Sequence, residues 1–119
     1  MKIFWSNYGE GIESANAKET SLEEAQLIWS DYVDGDEGNF LGLIDENKQV
    51  IQFYYTESIP DHIEDAEHLE IVDLDFPAPS KRGSYVSKVQ IGDVQKLIEK
   101  AFQVGANPEN FDKLTFQAW

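Results

Sequence analysis

The chain has no cysteine, so disulfides, thiolate metal ligands and thiol nucleophiles are excluded together. It lacks any apolar run near the roughly 18 residues that a membrane span requires. The opening stretch, Met1 to Gly11, holds one lysine and no apolar core of useful length. A secretory signal is therefore not expected, and a soluble cytoplasmic protein is. Basic residues are scarce: nine lysines and arginines face 23 aspartates and glutamates, for a formal net charge of −14. A field of that sign repels nucleic acid and anionic membrane surface and attracts cationic partners. Nucleophile elbows, phosphate loops and dinucleotide fingerprints are absent as well.

What is present suffices for a core. Hydrophobic residues make up 41% and aromatic residues 13% of 119 positions, too many large apolar side chains for a disordered chain. No repeat, low-complexity tract or long linker divides the sequence, so one domain over 1–119 is expected. The charge is uneven. Residues 19–75 hold 17 acids against the single base Lys48, whereas residues 76–119 hold six bases and four acids. The middle of the chain carries the imbalance, and solubility alone is one reading of it.

Hydrophobic spacing predicts the elements. Lys2–Tyr8 reads as an aromatic-rich strand ending at Gly9 and Gly11. Ser21 with Glu24 is a capping-box pattern that opens a helix, in which Leu22, Ala25, Ile28, Trp29, Tyr32 and Val33 recur at helical spacing and Gly35 supplies the cap. Asn39–Asp45 and Gln49–Glu57 read as a hairpin around Asp45-Glu46-Asn47-Lys48. A fourth strand is expected over Leu69–Leu74, stopped by Phe76-Pro77, and a fifth over Ser84–Gln90. A second helix spans about 92–103, with Val94, Leu97, Ile98, Ala101 and Phe102 as its stripe and Gly105 as its cap. Leu114–Trp119 closes the chain as a strand. The order β-α-β-β-β-β-α-β argues for an α+β fold, a mainly antiparallel sheet carrying two packed helices. Trp5, Trp29 and Trp119, with Phe53, Phe102 and Phe116, are the expected core aromatics, and Tyr32 and Tyr54 the partly exposed ones.

Few constellations suggest chemistry. Asp34-Gly35-Asp36-Glu37-Gly38 resembles the start of a calcium loop, but Asn39 stands where glycine is needed and Asp45 where glutamate is usual. A flexible acidic loop is the better reading. His62 and His68, six apart among Asp61, Glu64, Asp65 and Glu67, have no recognised metal spacing and read as solvated. Lys81-Arg82 is the one basic cluster and reads as a solvated turn. No metal and no cofactor are expected.

The layout resembles the small immunity proteins of bacterial polymorphic and contact-dependent toxin systems. The helix Ser21–Val33, the strand Asn39-Phe40-Leu41-Gly42-Leu43-Ile44-Asp45 and the strand Val50-Ile51-Gln52-Phe53-Tyr54-Tyr55 carry the resemblance. So do Ala101-Phe102-Gln103-Val104-Gly105, the Asn107-Pro108 step and Phe116-Gln117-Ala118-Trp119, so that the similarity covers residues 20–119. It implies a non-enzymatic protein that binds a cognate basic toxin of nuclease or deaminase type. Charge then nominates the partner-binding residues: Asp34, Asp36 and Glu37, then Asp61, Glu64, Asp65 and Glu67, with Tyr54 as an aromatic anchor. Two other classes stay open at this point. One is a ligand-binding domain or enzyme with a pocket on the sheet, and the other a general acidic interaction module.

Overall fold

Period-two alternation of apolar side chains builds one antiparallel sheet, which a computed structural model describes together with the rest of the chain over all 119 residues. Its strands are β1 (Lys2–Asn7), β2 (Glu10–Ile12), β3 (Lys18–Glu19), β4 (Phe40–Ile44), β5 (Val50–Tyr55), β6 (Val72–Ala78), β7 (Gly83–Val89) and β8 (Thr115–Ala118). Across the sheet they run β2-β1-β4-β5-β6-β7-β8, and β3 lies beside the first residues of β1. Helix α1 (Leu22–Leu27), continued by a π turn over Ile28–Tyr32, and helix α2 (Val94–Val104) complete an α+β fold.

One sheet face is the core face. Ile3, Leu41, Leu43, Ile51, Phe53, Tyr55, Val72, Leu74 and Phe76 point into it and are buried. They meet Ala25, Ile28, Trp29 and Val33 from the α1 segment, and Val94, Ile98 and Ala101 from α2, so both helical stripes face the core as their spacing predicts, Tyr32 excepted. The Trp29 ring lies flat on Tyr55, 5.0 Å away and 3° from parallel. Burial, then the nearby Asp34 charge, pushes the Tyr55 hydroxyl up to about 12. The two helices are tied by reciprocal bonds: Gln26 Nε2 donates to the Gln95 carbonyl and Gln95 Nε2 to the Gln26 carbonyl.

Several local expectations need correction. Ser21 Oγ accepts from the Glu24 N–H, but the Glu24 carboxylate faces the Thr20 hydroxyl instead of closing the reciprocal half of the box. Gly35 is not the helix cap, because Val33 has already left helical geometry; Gly35 is bare because the Ile59 side chain lies where its Cβ would be. Gly105, with φ of +81°, does cap α2. The fourth strand begins later and runs through Pro77. Pairing with β5 stops at Asp75, so only β7 neighbours Pro77, opposite it at Ser84. Tyr32 leaves the α1 stripe for the surface and stacks on Trp5. Phe116 on the edge strand β8 and Trp119 just beyond it lie exposed, 42% and 70% accessible, rather than in the core.

Candidate functional site

Strands β1, β5 and β7 end, and β4, β6 and α2 begin, at one end of the sheet. The loop that leaves the α1 π turn is built there around Asn39, which is 2% exposed. Its side chain donates to the Asp34 carbonyl and accepts from the Tyr8 N–H, so both of its functions are used. Asn7 exchanges two bonds with Asp34, one to the carboxylate and one from the backbone N–H. The Tyr8 hydroxyl donates to the Asp36 carboxylate, which raises its pKa above the ordinary tyrosine value. The loop expected to be flexible is thus clamped to the turn between β1 and β2.

The second acidic segment joins it. Thr56 bonds the Ile71 carbonyl through both its N–H and its hydroxyl, closing the neck of a compact loop over residues 56–71. The near side of this loop docks on the first, with the Glu37 N–H donating to Ser58 Oγ and the Ile59 N–H to the Gly35 carbonyl. Its far side is held at the start of α2, where the Gly92 N–H donates to the Glu67 carbonyl and the Ile91 N–H to the Leu69 carbonyl.

Asp34, Asp36, Glu37, Asp61, Glu64, Asp65 and Glu67 therefore all sit on this one end. Residues 34–37 adjoin residues 58–59, and Glu67 lies beside α2. All but the half-buried Asp36 are exposed. Residues 31–37 and 57–70 hold ten carboxylates and no lysine or arginine, and none of the ten is in an ion pair. His62 and His68 are exposed among them. Tyr54, 41% exposed, stacks on Phe40 at the same end of the sheet but on the open face, away from the helices.

Sequence reasoning missed Tyr8. It is 63% exposed, and Tyr32, stacked on Trp5 of the same strand β1 that leads to Tyr8, is 53% exposed. Tyr32 was expected to be partly exposed although it belongs to the helical stripe, whereas Tyr8 reads as the last residue of a strand and its left-handed φ of 55° sets it apart. The end of the sheet therefore presents three exposed tyrosines among unpaired carboxylates on backbone that is tied down at both loops. Such a surface can accept ammonium or guanidinium groups by charge, by hydrogen bonds to carboxylate and by contact with aromatic faces. The largest cavity, an open groove of about 850 Å³, is elsewhere; Lys48, Pro77, Lys81, Tyr85, Pro108 and Lys113 are among its walls. Within it Lys81 is not simply solvated, since its Nζ donates to the Tyr85 hydroxyl. The chain matches no family model, no curated protein and no solved structure.

Proposed function

We propose that this chain is a cytoplasmic immunity protein of a bacterial toxin system, which neutralises a basic toxin of nuclease or deaminase type by binding it and catalyses nothing itself. The supporting observation is the acidic end of the sheet: ten carboxylates without an ion pair, on two interlocked loops, with Tyr8, Tyr32 and Tyr54 exposed around them. Toxins that act on nucleic acid need a cationic cleft. A rigid acidic surface competes for that cleft, gains a fast approach from long-range attraction, and loses little entropy because its loops are already ordered.

The test is co-expression with a basic protein encoded beside this chain's gene, followed by stopped-flow association of the purified pair. Protection of the cells and a one-to-one complex are expected. Association should slow steeply with salt, since exposed charges are screened beyond about 10 Å at 0.1 M. Replacing Asp34, Asp36 and Glu37 together by lysine should slow it about tenfold or more, with circular dichroism checking the fold because the Asp34 and Asp36 carboxylates also accept from Asn7 and Tyr8. Tyr54→Ala should act mainly through faster dissociation. An association rate that ignores both salt and the triple reversal would remove the reading's physical support.

A further inference from the structure

The two edges of the sheet are built differently. At one, the outer side of β1 is covered in two pieces by β2 and β3, strands of three and two residues interrupted by a 3-10 turn at Ser14–Asn16. That edge carries Glu10, Lys18 and Glu19, and Glu19 pairs with the Met1 ammonium at 3.6 Å. Short, broken, charged edges of this kind resist pairing with a further strand. At the other edge, β8 bonds β7 on one side and nothing on its outer side. Its residues, Thr115-Phe116-Gln117-Ala118, contain no charge and no proline, and all four are exposed. Trp119 extends the apolar surface, held by its indole N–H on Ser84 Oγ at 3.1 Å.

The ladder shows which backbone groups are free. The Trp119 N–H donates to the Arg82 carbonyl, so residue 119 faces β7. Because direction alternates along an antiparallel strand, Thr115 and Gln117 face β7 as well, and Phe116 and Ala118 turn their N–H and C=O groups outward. We infer that this edge pairs with β8 of a second copy of the chain, antiparallel about a twofold axis normal to the sheet. Outward-facing residues then meet outward-facing residues, Phe116 opposite either Phe116 or Ala118 of the other copy, and the contact is self-complementary.

Charge favours a second copy as the occupant. An antiparallel pairing inverts one copy relative to the other. The acidic end of each sheet therefore lies alongside the opposite end of its neighbour, where the turn between β6 and β7, next to the β8 edge, carries Lys81 and Arg82 and no acid. Two molecules of charge −14 thereby keep their acidic loops at opposite extremes. Both acidic ends stay free, so this inference stands independently of the proposed function. A single short strand pair covers little surface, and the dimer is expected to depend on concentration rather than to be obligate.

Sedimentation equilibrium over a dilution series, with amide exchange followed residue by residue, tests it. The mass of the 119-residue chain should rise from 13.6 kDa toward twice that value as concentration increases. The Phe116 and Ala118 amides should gain protection over the same range, while the Thr115 and Gln117 amides, bonded to β7, stay protected throughout. Ala118→Pro removes one outward N–H without touching the β7 ladder and should hold the chain at 13.6 kDa. The double variant Thr115→Lys, Gln117→Lys should do the same by repulsion across the axis, with circular dichroism confirming the fold. A chain that stays monomeric at every concentration overturns the inference, as does a dimer that survives both variants. Should either variant unfold, exchange in the unaltered chain decides. Concentration-dependent protection anywhere other than Phe116 and Ala118 counts against this interface.

Discussion

Asp75 shows how one residue can work against the fold that holds it. It points from β6 to the open sheet face, next to Ser84, and its Oδ1 is buried without a hydrogen-bond partner. Burial raises its pKa above the ordinary aspartate value of 3.8; the Ser84 hydroxyl lowers it in part, and the Asp73 charge adds to the rise. The folded chain therefore holds this proton more tightly than the unfolded chain. Stability falls as pH rises from about the unfolded value through the raised one, and the penalty is complete at neutral pH. Asp75→Asn is accordingly expected to raise stability at neutral pH, and the gain should vanish in acid below the ordinary aspartate range. Urea denaturation of both proteins at the two pH values checks this, and an equal difference at both would show that charge burial is not the cause. Asn39 is the opposite case, a buried polar side chain with its donor and acceptor both used, and it ties the acidic loop to the turn after β1.

Among the elements, the hairpin of β4 and β5 is tied to the exit of α2 by one carboxylate. Asp45 Oδ1 accepts from the Asn47 and Gln49 N–H groups, each at 2.9 Å, and Oδ2 accepts from the Ala106 N–H at 2.8 Å. Asp45→Ala should cost about 2–3 kcal/mol, because it strands the part-buried Gln49 and Ala106 N–H groups, donors from two elements, at once. Asp45→Asn, which keeps one acceptor oxygen, should cost about half as much. Urea denaturation measures both losses, and faster exchange of the Ala106 amide would locate the second element. The turn itself was legible from Asp45-Glu46-Asn47-Lys48, since such residues favour turns locally. The bond to Ala106 was not, because nothing in the sequence says that α2 ends beside this hairpin. Pieces as short as β2 and β3 were illegible for another reason: three and two residues cannot display a period.

At the scale of the whole molecule, charge is spread as unevenly in space as along the chain. Folding brings residues 31–37 together with residues 57–70, and with no ion pair among the ten carboxylates their repulsion is greater in the folded state than in an expanded chain. Added sodium chloride should therefore raise the thermal midpoint, most of the gain appearing by about 0.1 M, where the screening length falls to about 10 Å. A midpoint that is flat or falls over that range would mean that the acidic end carries no net strain. The sequence by itself determined the two helical stripes, the central hairpin, the α+β class and the acidic character of residues 19–75. Each of these is local: a helix or strand face is set by spacing along a few turns, and charge is read from composition. Only the tertiary structure decided that 34–37 and 61–67 share one end, that Tyr8 joins them, that Asp75 is buried, and that Phe116 and Trp119 lie on an edge. All of these depend on which strands become neighbours. That order is fixed by pairings such as β1 with β4, more than thirty residues apart in the chain, where side-chain packing across the whole core chooses among alternatives that look alike strand by strand.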